Sequence, residues 1–300
     1  MEAIKTLDQI VDKVKGKKRR LVVAGGDAPT VIESITRAVK DDIIKATLVG
    51  DQQHIEELAQ ERGIDLSLFD IVHEADPQVI SAKAVELVRE GKADFLMKGL
   101  INTADYMRAI LNKKKGLVAK DSLLTHVTVI EVPTYHKLLI VSDVAILVTP
   151  TLGQKITMLD FCVRIAQSFN IDSPKAGIIS CVEKPSYKID STIDGSIIKK
   201  LAKRAQIKDV VVDGPLAMDL AISKRCAEEK KFISPVAGDC DILIFPNICS
   251  ANVFFKTLTI LAGARIAAIV VGAKVPCVLT SRADTEESKF VSISLGALLS

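Results

Sequence analysis

Short runs of Val, Ile, Leu and Ala recur along the chain, each closed by Gly, Asp or Pro and followed by apolar residues at helical spacing. The run at residues 21–24 reads as a strand ended by Gly25-Gly26, and Asp27-Ala28-Pro29 opens a helix, since proline is tolerated in a first turn. Val31, Ile32, Ile35, Ala38 and Val39 then share one face. A strand at 46–49 leads into a helix at 53–62 stopped by Gly63, and a short strand at 71–72 into a periodic helix at 77–90 before Gly91. The next strand is 95–97. This alternation predicts βαβ units and a mostly parallel sheet. The second half repeats it less evenly, with strands expected at 127–130, 138–141, 146–148, 177–180, 210–212, 242–245, 267–271 and 278–279. Helices fit 156–169, 196–205, 216–223 and 253–262. There is no internal repeat, and the polar, Lys-rich loop at 112–121 puts a lobe joint near Val132-Pro133.

Composition agrees with strands covered on both faces. Hydrophobic residues make up 48% of the 300 positions, while aromatics reach only 4% and Trp is absent, so the core is built from aliphatic side chains. The net charge of +3, from 40 basic and 37 acidic residues, gives no electrostatic reason for a nucleic-acid or membrane partner. Local clusters such as Lys17-Lys18-Arg19-Arg20 and Lys113-Lys114-Lys115 read as solvated loops. Six cysteines form no Cys-x-x-Cys pair, and without a signal peptide they read as reduced thiols in a cytoplasm. His54, His73, His126 and His136 lack metal-ligand spacing, so no metal is expected. Neither a Gly-x-Gly-x-x-Gly nor a P-loop follows any strand.

Four strand-end segments carry polar chemistry. Lys98-Gly99 leads through Asn102 and Thr103 into a helix bearing Arg108, with Thr103 expected as the cap and its first turn as an anion-attracting end. Asp213-Gly214-Pro215 follows a strand where α/β sheets place ligands, although such residues are equally common turn punctuation. Phe245-Pro246-Asn247-Ile248-Cys249-Ser250-Ala251-Asn252 precedes a helix carrying Lys256; Cys249 has no recognisable base partner and is not read as a nucleophile. Thr280-Ser281-Arg282 is followed by Asp284, Glu286 and Glu287. Taken singly, each segment also fits an ordinary capped helix or turn.

Together, the stretches FLMKGLINTADYMRAILNKKKGL, SLLTHVTVIE, QIKDVVVDGPLAMDLAIS, DILIFPNICSANVFFKTL and VGAKVPCVLTSRADTEESK resemble the phosphate acetyl/butyryltransferase family, and its butyryltransferase branch most closely. They occur in family order over roughly residues 95–290. The resemblance implies two α/β lobes similar to the isocitrate/isopropylmalate dehydrogenase fold, with an active cleft between them. The first lobe is expected at residues 1–133 plus 283–300, because the last helix returns to it, and the second at 134–282. The implied reaction exchanges a short-chain acyl group, butyryl foremost, between coenzyme A and inorganic phosphate by direct transfer in a ternary complex. Coenzyme A is then a substrate, with no bound cofactor, and a homodimer or higher homo-oligomer is the default expectation.

On this resemblance Ser281 and Arg282 stabilise the carbonyl oxyanion, and one such donor is typically worth about 3 kcal/mol. The base is left between Glu287 and Asp284, because the acetyltransferase branch places an Asp where this chain has Ser288. Lys98, Asn102, Thr103, Arg108, Asp213, Asn252 and Lys256 are the expected substrate-binding residues. Cys249 and Ala251 stand where an acidic residue and a glycine are usual, which leaves acyl preference open. The alternatives are a phosphate acetyltransferase or branched-chain phosphotransacylase, a non-catalytic acyl-CoA-binding module, and a dehydrogenase of related fold, for which no aspartate cluster can be assembled.

Overall fold

The computed structural model describes residues 2–119, 122–281 and 284–300. In chain order it begins with α1 (Leu7–Val14), β1 (Arg19–Ala24), α2 (Pro29–Lys40), β2 (Ile44–Gly50), α3 (Gln52–Arg62), β3 (Phe69–His73), α4 (Pro77–Arg89), β4 (Phe95–Lys98) and α5 (Thr103–Ile110). There follow β5 (Thr125–Glu131), β6 (Leu139–Ser142), α6 (Leu152–Ser168), β7 (Lys175–Ile179), α7 (Asp190–Lys203), β8 (Val211–Leu216), α8 (Met218–Ile222), α9 (Lys224–Glu229), β9 (Ile242–Ile244) and α10 (Ile248–Leu261). The chain ends with β10 (Arg265–Val271), β11 (Cys277–Val278) and α11 (Glu286–Leu299).

Two compact units result. One comprises Asp8–Leu124 and Ala267–Ser300, the other residues 2–7 and Thr125–Ile266. The divisions thus fall at 124/125 and 266/267, where the sequence suggested 133/134 and 282/283. Strand pairing explains the difference. β5 is antiparallel to β6, with Val127 opposite Ser142, so it goes with the residues that follow it. β11 is parallel to β4 and antiparallel to β10, so residues 267–281 join the amino-terminal strands. Residues 2–7 group with the second unit, where Ile4 N–H donates to Phe169 O at 2.9 Å.

The first unit orders its strands β3-β2-β1-β4-β11-β10, the second β5-β6-β9-β7-β8. In the first, α2 and α3 step from β1 outward to β3, and α4 returns past β1 to β4. Right-handed crossovers put α4 on the opposite face from α2 and α3. The helix α11 packs beside α2, and α4 packs on β1 and β2. Covered on both faces, the strands are largely aliphatic, and every residue of β4, β6 and β9 is buried, Lys98 and Ser142 included.

Several elements depart from the sequence expectation for local reasons. Residues 146–148 form no strand. Asp143 is buried, and its Oδ1 accepts the N–H groups of Ala145 at 2.7 Å and Ile146 at 2.8 Å, which bends the chain away from extended pairing. β8 runs on through Asp213-Gly214-Pro215 to Leu216, so that tripeptide lies inside a strand, and the helix expected at 216–223 shrinks to α8. α1 was not anticipated, although its buried Leu7, Ile10 and Val14 keep helical spacing. Among the described residues no helix is long and apolar enough to cross a membrane.

Candidate functional site

In the first unit the strand order reverses between β1 and β4, and open α/β sheets place ligands at the carboxyl ends of strands flanking such a reversal. The backbones there approach closely. Gly99 N–H donates to Ala24 O at 2.8 Å and Leu100 N–H to Gly25 O at 2.7 Å. A Cβ on Gly99 would overlap the Gly25 carbonyl, and Gly25 has φ +80° with Leu100 N 3.0 Å from its own Cβ position. Only glycine fits either place.

Beside this junction lies a cavity of about 210 Å³, lined by Ala28, Thr30, Lys98, Leu100, Thr280, Ser281 and Lys289 among others. Three features make it attractive to an anion. The first turn of α2 has Ala28 at its N-cap and no capping side chain; Pro29 has no N–H and Val31 N–H donates to Ala28 O at 3.0 Å, so the Thr30 N–H is the donor left to an occupant of the cavity. Lys98 is only 5% exposed, and its Nζ donates to Gly99 O at 3.1 Å and Ile101 O at 3.3 Å. Lys289, on α11, is 3% exposed and donates to Asp284 O. Burial lowers the Lys289 pKa from the ordinary lysine value, and the nearby Asp284 carboxylate only partly opposes it.

Ser281 is presented by a tight turn. Its N–H donates to Asp284 Oδ2 at 2.7 Å, and Asp284 N–H donates back to Ser281 O at 3.2 Å. Thr285 caps α11 by accepting the N–H of Ser288 at 3.1 Å. Glu287 pairs with Arg37: its Oε2 lies 2.5 Å from Arg37 Nη1 on α2, and that guanidinium stacks 3.7 Å over the Phe290 ring. Burial raises the pKa of neighbouring Glu286, against the charge of Arg37. Arg282 lies outside the described residues.

The remaining expected residues are dispersed. The cap of α5 is Asn102, not Thr103: Asn102 Oδ1 accepts Ala104 N–H at 2.9 Å, and Thr103 is the first helical residue. The uncapped anion-attracting end therefore belongs to α2 rather than α5. Arg108 does not line the cavity. Five residues past the expected cap, it has turned to Asp105 at 2.5 Å with its side chain 74% exposed. In the second unit, Asp213 is buried, accepts Gly214 N–H at 2.7 Å and pairs with Lys199 at 2.5 Å. Asn252 donates to Val144 O at 3.0 Å, which ties α10 to the loop after β6, and Lys256 is exposed beside the Phe255 ring. Sequence reasoning missed the α2 end and Lys289. The available signal was Ala28, a helix start after two glycines with no Ser, Thr, Asp or Asn at the cap. Among the described residues no group of three His, Cys, Asp or Glu could hold a metal.

The family model described as "Phosphate acetyl/butaryl transferase" matches residues 5–81 and 78–297. The chain is 42% identical to phosphate butyryltransferase of Clostridium acetobutylicum over 99% of this chain and 98% of that protein. It is 39% identical to phosphate acetyltransferase of Thermotoga maritima, over 97% and 99% respectively. The crystal structure of a branched-chain phosphotransacylase from Enterococcus faecalis superposes with a TM-score of 0.81 at 30% identity, covering 93% of this chain and 99% of the other. By sequence over nearly its whole length, this chain belongs to the phosphate acetyl/butyryl transferase family.

Proposed function

We propose that the chain is a phosphate acyltransferase that moves a short-chain acyl group, butyryl foremost, between coenzyme A and inorganic phosphate. Transfer is direct, within a ternary complex. A phosphate oxygen attacks the thioester carbonyl, the C–O bond forms, the C–S bond breaks, and the phosphate proton passes to the leaving sulfur. The products are acyl phosphate and free coenzyme A. The observation that carries this reading is the cavity at the β1/β4 reversal, where two buried lysines and an uncapped helix start surround a space open to Ser281. Such a site stabilises a phosphate dianion and holds it against an acyl donor.

Ser281 is assigned as hydrogen-bond donor to the oxyanion of the tetrahedral transition state, with Arg282, its sequence neighbour, as the accompanying cation. In the reverse direction the thiol of coenzyme A, with an ordinary pKa of about 8.5, must lose its proton. Asp284 shares the turn with Ser281, whereas Glu287 is held by Arg37, so the base role goes to Asp284. Purified protein is expected to release thiol from butyryl-CoA only when phosphate is present. Ser281→Ala is expected to lower kcat about 100-fold, the cost of one oxyanion donor. No phosphate-dependent release from acetyl-, propionyl-, butyryl- or branched acyl-CoA would overturn the proposal.

A further inference from the structure

We propose that Lys289 is the positioning residue of this site, clamping the Ser281–Asp284 turn with one N–H while directing its charge and remaining donors at the anion in the cavity. This rests on the reading of that cavity as the phosphate site. An ammonium carries three donors. Among the described residues the only acceptor of Lys289 is Asp284 O, and no carboxylate lies within salt-bridge distance of its Nζ. At 3% exposure the side chain has little access to bulk water, yet it lines the cavity. A buried ammonium with donors left over is costly unless a ligand or ordered water meets them. Phosphate, with its acceptor oxygens and negative charge, meets both needs.

The clamp has a second consequence. Asp284 O is held by Lys289, Asp284 Oδ2 by the N–H of Ser281, and Ser281 O by the N–H of Asp284. Lys289 is therefore tied to the turn that presents the proposed oxyanion donor, and the anion it attracts sits beside that donor. Lys98, the other buried cation at the cavity, donates to the main-chain carbonyls of Gly99 and Ile101.

The test compares Lys289→Met with Lys289→Arg in the full chain. In the Met variant KM for phosphate is expected to rise roughly 10- to 100-fold, the loss of a charge-assisted hydrogen bond, while KM for butyryl-CoA stays within about two-fold. The Arg variant, which keeps the charge, is expected to hold KM for phosphate within about three-fold. A Met variant with unchanged phosphate KM, or with both KM values degraded equally, overturns the proposal. If the Met variant does not fold, a folded Arg variant that has lost phosphate saturation overturns it, and one that retains saturation supports it. Thermal upshift by inorganic phosphate separates this inference from the functional reading. A wild-type upshift absent in Lys289→Met supports the role of Lys289 even if no acyl-CoA is turned over. Wild-type turnover with an equal upshift in both proteins removes Lys289 and leaves the acyltransferase.

Discussion

Gly99→Ala and Gly153→Ala make the same chemical change and are expected to act in opposite directions. At Gly99 the new methyl would overlap the Gly25 carbonyl, which belongs to the backbone and has no rotamer to change. The ends of β1 and β4 must separate, which breaks the hydrogen bonds from Gly99 to Ala24 at 2.8 Å and from Leu100 to Gly25 at 2.7 Å. Each is worth about 1 kcal/mol net, and overpacking adds about 1–3 kcal/mol, so a loss of about 3–5 kcal/mol is expected. At Gly153, an exposed position in α6, an added Cβ meets nothing within 4 Å. There alanine restricts the unfolded chain and is expected to stabilise by roughly 0.5 kcal/mol. Trp is absent, so urea unfolding is best followed by far-UV circular dichroism. With m near 2 kcal/mol/M, Gly99→Ala should lower the midpoint of its unit by more than about 1 M. A Gly99→Ala midpoint within about 0.2 M of wild type would refute the reasoning, because the close approach would then be something the backbone can relax.

Thiol accessibility and acid stability test other parts of the structure. Cys181 and Cys249 are exposed, whereas Cys162, Cys240 and Cys277 are buried, and burial pushes the last two thiols up to about 12. A disulfide exchange reagent at pH 8 should therefore titrate Cys181 and Cys249 quickly, Cys226 more slowly, and the other three only after denaturation. Fast reaction of Cys277 would contradict its burial in β11, between β4 and β10. Burial tends to raise the pKa of Asp239, but hydrogen bonds from Lys175, His136 and Lys137 outweigh it and hold the carboxyl well below the usual range. A depressed folded-state value means this stability is complete above about pH 5 and is lost as the pH falls further. Asp239→Asn should cost about 1–2 kcal/mol at pH 7, and the deficit should shrink steadily from pH 5 to pH 2. A deficit that stays constant over that range would refute the assignment.

The alternation of apolar runs made the parallel sheets legible, because strands covered on both faces must be aliphatic wherever they occur. What escaped were features decided by side chains folding back on their own backbone. The aliphatic residues at 146–148 look like a strand, and only the carboxylate of Asp143, three residues upstream of Ile146, removes them from pairing. Asn102 and Thr103 are both good caps, and composition cannot choose between neighbours. Arg108 was a plausible anion ligand on charge alone, yet Asp105 one turn back claims it. Lys289 reads as an exposed helix cation after two glutamates. Its burial depends on α11 packing beside α2, a contact between residues some 250 positions apart that no local pattern records.

That same interleaving sets an order of assembly during synthesis. The unit built on Thr125–Ile266 leaves the ribosome almost entire before the other can close. Until residues 277–278 are made, β4 has only β1 beside it and presents an open edge, and α2 lacks the cover of α11. The strands made before Thr125 therefore wait for α11, made after Ile266, and a chain stalled between them would expose sticky sheet edge and helix surface at the end where the cavity should form.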